Sequence, residues 1–138
     1  MNGIATKYIL DTHALVWFLE GNPRLGAGVK AVLEDETSEL ILPMIALAEA
    51  CWIIEHGRTS IPKAADFLAA VDDDPRIQVV PLDRSILDKT LDITVIKEMH
   101  DRQIIATALN IADSGENVIV LTKDNDIQLS GLVPIVWE

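Results

Sequence analysis

The stretch Tyr8-Ile9-Leu10-Asp11-Thr12-His13-Ala14-Leu15-Val16-Trp17-Phe18-Leu19-Glu20-Gly21-Asn22-Pro23 sets the reading of the fold. Tyr8 to Leu10 is a continuous apolar run entering Asp11, the pattern of a strand buried on both faces. Ala14 to Leu19 follows as an apolar helix, and Gly21-Asn22-Pro23 closes it. Outward from there the alternation repeats. Gly28 to Glu34 reads as a short helix, and Leu40-Ile41-Leu42 as a buried strand stopped by Pro43. A helix from Ile45 to about Glu55 ends at Gly57. Ser60 is placed to cap a helix with Pro62 in its first turn, running to Val71. Asp72-Asp73-Asp74-Pro75 reads as a solvated turn, and Ile77 to Val80 as a third strand. Asp83 caps a helix over Ile86 to Leu91, and a longer helix begins near Asp101 and ends by Gly115. Val118 to Leu121 is a fourth strand. Val133 to Trp137 is a last short one, where Pro134 suits a sheet edge.

Apolar strands alternating with helices predict a parallel sheet covered on both faces, with right-handed crossovers. The 138 residues make one domain, 1–138, and 49% hydrophobic content fills a core. The single cysteine, Cys51, permits no intrachain disulfide and reads as core packing. Met1 to Lys7 lacks the pattern of a secretory leader, and Pro43 to Ile54, interrupted by Glu49, is too short to span a bilayer. Together these place the chain in the cytoplasm. Trp17, Trp52 and Trp137 read as core rather than as platforms for bases. The net charge of −11, from 11 basic and 22 acidic residues, opposes non-specific binding of nucleic acid. That opposition weakens where acids converge on divalent cations, which present positive charge to phosphate.

In a parallel α/β sheet the site lies beyond the C-terminal strand ends. Asp11 directly follows the first strand, and Asp124 comes three residues after Leu121. Glu49 is the only charged residue from Pro43 to Ile54, and its helical neighbours Ile45, Ala46, Trp52 and Ile53 share its face. A carboxylate there is at least partly buried and calls for compensation. Asp101 stands one turn before the apolar stripe Ile104, Ile105, Ala108, Leu109 and Ala112, at the positive end of its helix dipole. Four acids from four segments would repel one another strongly without cations. Hard oxygen donors of this kind suit Mg²⁺ or Mn²⁺, and two ions about 4 Å apart serve phosphodiester cleavage. No zinc-type His/Cys spacing is present. Taken singly, Asp101 also fits a helix cap, Asp11 and Asp124 fit strand-end turns, and Glu49 fits a buried pair with an arginine. His13 and His100 flank two of the acids and are not assigned as ligands.

The residues at 8–17 resemble the opening of the PIN-domain family, with Asp11 as its first acid. Ala-Leu-Ala-Glu-Ala at 46–50 resembles the second motif, with Glu49. Met-His-Asp-Arg-Gln-Ile-Ile-Ala-Thr-Ala at 99–108 resembles the third, with Asp101. Leu-Thr-Lys-Asp-Asn-Asp-Ile at 121–127 resembles the fourth, with Thr122 as its hydroxyl and Asp124 as its acid; Asp126 competes for that place. Pro-Ile-Val-Trp at 134–137 resembles the usual ending. Within the family the likeness is to VapC-type toxins. The resemblance implies a three-layer α/β/α sandwich with a central parallel sheet and a metal-dependent endoribonuclease using Mg²⁺ or Mn²⁺. Asp11 and Asp101 would then be the principal metal ligands, with Glu49 completing the shell or orienting water. Asp124 would serve a second ion or a water, and Thr122 would support it. It further implies a structured RNA substrate such as tRNA or rRNA, a homodimer, and a small DNA-binding antitoxin protein that blocks the site. The sequence shows no basic patch for RNA; Arg24, Lys97, Arg102 and Lys123 are the candidate cations near that site, and Arg102 equally fits a structural role.

Two other functions remain compatible with strand-end acids. A phospho-acceptor signalling domain would use Lys123, but would want an adjacent acidic pair where only Asp11 stands, and would give Glu49 no role. A PIN fold without catalysis, acting as a binding module, would have no need of all four acids.

Overall fold

The computed structural model describes residues 5–138, so residues 1–4 of the leader reading lie outside the described residues. In chain order the elements are β1 (Thr6–Leu10), α1 (Thr12–Leu19), α2 (Ala27–Glu34), β2 (Glu39–Pro43), α3 (Met44–Glu55) and α4 (Ala64–Asp73). These are followed by β3 (Ile77–Val80), α5 (Arg84–Thr90), α6 (Met99–Asp113), β4 (Asn117–Leu121), α7 (Asn125–Ser130) and β5 (Ile135–Val136). The strands form one sheet in the order β3-β2-β1-β4-β5, and every neighbouring pair is parallel. β1 is central, with Ile9 opposite Ile41 on one side and Val120 on the other.

Successive residues of a strand point to opposite faces, and here both faces are apolar. Leu10, Leu40, Leu42 and Leu121 join Ala14, Val16, Leu33, Ala46, Leu47 and Phe67 in one core. Ile9, Ile41, Val118 and Val120 join Ile86, Ile104, Ile105, Ala108 and Ile127 in the other. The result is the expected α/β/α sandwich. Because all strands run the same way, their C-terminal ends, and with them Asp11 and the segment after Leu121, share one edge.

Several local expectations change. α4 does not start under Ser60. The backbone N–H and hydroxyl of Ser60 both donate to Glu20 Oε2, at 2.9 Å each, and α4 begins at Ala64 after an uncapped Lys63. α4 also runs on through Asp72 and Asp73, which therefore are not turn residues. Asp74 is held in a two-point ion pair by Arg76, at 3.0 and 2.8 Å. β5 is shorter than read: Pro134 lies before it, and the Pro134 carbonyl accepts from Val120 N–H at 2.9 Å. α7 has no counterpart among the expected elements. Trp17 is buried as expected and Trp137 partly so, but Trp52 is 48% exposed, stacked on His56 with Arg58 over its ring. Cys51 is partly buried against the first core.

The C-terminal segment docks through a glycine. A Cβ on Gly26 would stand 2.1 Å from the Trp137 carbonyl oxygen, so only a bare backbone admits this approach. That carbonyl accepts from Val29 N–H at 3.1 Å, and the Trp137 ring meets Trp17 edge-on at 6.0 Å.

Candidate active site

β1 ends at Leu10, and Asp11 takes the N-cap of α1 in an extended conformation, φ −77° and ψ 158°. Its Oδ1 accepts from the Thr12 N–H at 2.6 Å, and its Oδ2 accepts from the Thr122 hydroxyl at 2.5 Å. Burial raises the pKa of Asp11. The bonds from Thr122 and Thr12 and the nearby His13 work against that, and Glu49 adds to it. Thr122 is fully buried just past β4, and its hydroxyl oxygen also accepts the Asp124 N–H at 3.1 Å. One hydroxyl thus ties the first strand's carboxylate to the fourth strand's loop.

Glu49 lies on α3, which packs on both α1 and α6, and it is partly buried as expected. Its Oε1 accepts from the buried Thr12 hydroxyl at 2.7 Å, and its Oε2 is 3.9 Å from His100 Nδ1. It has no arginine partner among the described residues. Asp101 sits in the first turn of α6, whose N-cap is Glu98; the Glu98 carboxylate accepts the Asp101 N–H at 3.0 Å. Asp101 is therefore not the cap. Its carboxyl is pushed up to about 7 by burial first, then by Asp124, Asp11, Glu98 and Glu49 in that order. Asp124 caps α7, its Oδ1 accepting from Ile127 N–H at 3.0 Å. Asp126 is exposed in the first turn of α7 and is not among the charges acting on Asp101.

The structure thus brings Asp11, Glu49, Asp101, Asp124 and Thr122 to one edge. Two contributors escape the sequence reading. Thr12 bridges Asp11 and Glu49, and its only signal is a hydroxyl residue directly after a strand-end acid. Glu98 adds a fifth carboxylate, and its signal is an acceptor three residues before Asp101. Of the expected cations, Arg102 donates its Nε to the Ile96 carbonyl and so serves the loop before α6. Arg24 and Lys123 lie over the ring of Trp17, at 4.7 and 4.4 Å from its centroid. Lys97 is exposed.

The donor chemistry fits a hard divalent cation. The charges that act on Asp101 are all carboxylates, a repulsive set that a cation would reverse. Among the described residues no three acidic, histidine or cysteine side chains are already drawn into a cage. Mg²⁺ keeps several waters and is commonly held by one or two carboxylates, so a closed cage is not required.

The PIN domain family model matches residues 8–130. No curated protein matches the chain. Among solved structures, VapBC2 from Rickettsia felis, bound to a DNA fragment from its promoter, is similar with a TM-score of 0.68 at 15% identity, over 96% of this chain and 99% of that one. VapC20 of Mycobacterium tuberculosis, a sarcin–ricin loop cleaving toxin, gives 0.68 at 15% identity, over 95% and 99%. A toxin–antitoxin complex from Klebsiella pneumoniae gives 0.69 at 15%, over 94% and 95%. At these identities the likeness is one of fold.

Proposed function

The chain belongs to the PIN-domain family, and on that footing we propose that it is a metal-dependent endoribonuclease acting as the toxin of a toxin–antitoxin pair. The observation that carries the reading is the Asp101 carboxyl, raised to about 7 by burial and by four other carboxylates. Carboxyls perturbed by burial and by specific charge partners cluster at functional sites, and here they converge from β1, α3, α6 and the segment after β4 on one strand edge. Bound Mg²⁺ or Mn²⁺ would supply an activated water and charge stabilisation for the departing oxygen.

The chain's own groups would do the following. Asp11 and Asp101 hold the ion. Thr122 and the Thr12 N–H fix the Asp11 carboxylate so that its lone pairs keep one direction. Glu49, oriented by Thr12, completes the shell or receives a proton from water. Asp124 holds a water or a second ion through the oxygen left over from capping α7. The site opens on solvent beside a hollow of about 380 Å³ lined by Ile45, Ala48, Glu49, Trp52 and His100, which leaves room for a strand to approach.

The RNA reading draws support from the sarcin–ricin loop cleavage by the M. tuberculosis relative, and the antitoxin reading from the K. pneumoniae complex. tRNA or rRNA is the proposed substrate and the cytoplasm the proposed compartment. No described helix is long and apolar enough to cross a membrane. An antitoxin and a second copy are the proposed protein partners, in keeping with the exposed Met44 and Trp52 on α3.

The test incubates purified protein with total RNA and tRNA, with Mn²⁺ or Mg²⁺, beside an Asp101→Asn preparation made identically. Discrete metal-dependent cuts by the parent, absent in the variant and in chelator, are expected. Equal cutting by both would sink the assignment. The open arrangement of the acids leaves one other reading, a PIN fold that binds without catalysis. A calorimetric titration showing no Mn²⁺ binding would put that reading in front.

A further inference from the structure

A ribonuclease of net charge −11 has to bring a polyanion to its acidic edge. Many of its cations are committed elsewhere. Lys7 pairs with Glu116, Arg76 with Asp74, Arg84 with Asp88, and Lys89 with Asp113. Arg102 serves the Ile96 carbonyl, and Arg58 covers Trp52. Arg24 and Lys123 are placed differently, on one indole. Their distances to the Trp17 centroid, 4.7 and 4.4 Å, mean that the two charges are no farther apart than those distances together. Neither is in ion-pair contact with a carboxylate among the described residues. Glu20 feels Arg24, but its oxygens accept from Asn22 and Ser60.

The place of this pair matters as much as its charge. Lys123 stands between Thr122, which binds Asp11, and Asp124, which acts on Asp101. Trp17 lies on α1, whose N-cap is Asp11. The indole is buried, with His13 against it at 5.4 Å and Trp137 at 6.0 Å, while Arg24 and Lys123 are exposed. A fixed ring therefore gathers two exposed cations, one of them, Lys123, in the segment that carries Thr122 and Asp124. The ring quadrupole attracts each of them, and phosphate oxygens bound to them would offset their mutual repulsion. Arg offers a planar fork and Lys a point charge; both suit phosphate oxygens.

We infer that Arg24 and Lys123, seated on Trp17, form a backbone-phosphate subsite that positions the RNA strand beside the scissile bond. This rests on the ribonuclease reading above. The pair reads no sequence; it sets register and orientation, as phosphate contacts do.

The test measures KM and kcat on tRNA with Mn²⁺ across a KCl series. The proteins are the parent, Arg24→Gln, Lys123→Gln and the double variant. Lys123→Arg keeps the charge, and Lys63→Gln removes an exposed charge elsewhere. Each Gln variant should raise KM about tenfold with kcat little changed. Each should also flatten the dependence of log(1/KM) on log[KCl] by about 0.7, the share of one phosphate on a single strand. Lys123→Arg and Lys63→Gln should match the parent. If the parent cuts and the Gln variants match Lys63→Gln in KM and salt slope, the subsite is wrong and the ribonuclease stands. A fall in melting temperature without those changes would mean that the cations only shield the indole. Should the parent cut nothing, equilibrium binding of the same labelled tRNA over the same KCl series decides. Weakened binding and flattened slopes in the Gln variants would keep the phosphate contacts, as those of an RNA-binding surface, and overturn their role beside a scissile bond together with the ribonuclease reading. No binding by the parent, or equal binding by all, would overturn the phosphate contacts as well.

Discussion

At the scale of single residues, Asp101 links stability to function. Its folded-state pKa is about 7 against 3.8 when free, so the folded chain holds a proton that the unfolded chain has lost between those values. Stability attributable to this group is full below about pH 4 and is lost as pH rises through about 7. Asp11, also raised, acts in the same sense. In chelator the parent's melting temperature should therefore fall from pH 5 to pH 8, and Asp101→Asn should fall less and melt above the parent at pH 8. Mn²⁺ should restore the parent and leave the variant nearly unmoved, since an ion stabilises only the form that binds it. Parallel melting curves for parent and variant across that range would refute this account. The buried Thr122 hydroxyl is the second lever. Thr122→Val removes the donor to Asp11 and the acceptor of the Asp124 N–H. A loss of about 1.5–3 kcal/mol in urea unfolding and a 10- to 100-fold (roughly) weaker Mn²⁺ affinity by calorimetry are expected, with Thr122→Ser close to the parent. An unchanged affinity in Thr122→Val would remove the hydroxyl from the site. Glu49 is visible in the sequence because charge is conspicuous where neighbours are apolar, and Asp11, Asp101 and Asp124 because they stand at the ends of apolar strands or before an apolar helical stripe. Thr12 and Glu98 are not, because their roles depend on a partner 37 residues away in one case and on an unusual cap in the other.

Among elements, those whose identity comes from burial are the ones the sequence displays. β1, β2 and β4 are apolar runs because neighbouring strands and helices cover them on both sides. α6 is marked by its stripe, although its start lies before Asp101. α7 escapes detection because only Ile127 of its six residues is buried, which leaves no period to find. Asp124 as N-cap and Gly131 in the left-handed conformation bound it, but each resembles an ordinary turn residue. Ser60 has the chemistry of a cap and is drawn instead to Glu20, a contact 40 residues distant. Trp52 defeats the expectation of burial because α3 is apolar nearly all round, so periodicity cannot assign its faces. β3 and α2 are joined by Arg76, which binds Asp74 and donates to the carbonyls of Leu33 and Asp35 at 2.7 and 2.9 Å. Arg76 precedes β3 and so lies at the strand edge opposite the acids. Arg76→Ala should cost about 2–3 kcal/mol in urea unfolding while Mn²⁺ affinity and RNA cleavage at 25 °C stay within about twofold. A drop in Mn²⁺ affinity would show that the two edges are coupled.

For the whole molecule, the sum of charges and the local ones pull in opposite directions. A surface of net charge −11 repels RNA at a distance, and the acids of the site add to that repulsion when no ion is bound. Two divalent ions at the site would replace a locally negative edge by one near neutral or positive, with Lys123 next to Asp124 and Arg24 on the same indole as Lys123. Association with RNA should therefore depend on the ion as well as hydrolysis. The competing explanation is that Mn²⁺ acts on the RNA alone, by screening it or folding it. Asp101→Asn separates the two, because the RNA meets the same Mn²⁺ in both preparations. Retention of labelled tRNA by the parent, followed at times too short for cleavage, should be weak in chelator and at least about tenfold tighter in Mn²⁺. The same addition should improve retention by Asp101→Asn only slightly. Equal gains for parent and variant would place the effect on the RNA. Strong retention in chelator would mean that a surface away from the carboxylate edge binds the strand, and that the molecule's charge is arranged for something other than metal-gated access.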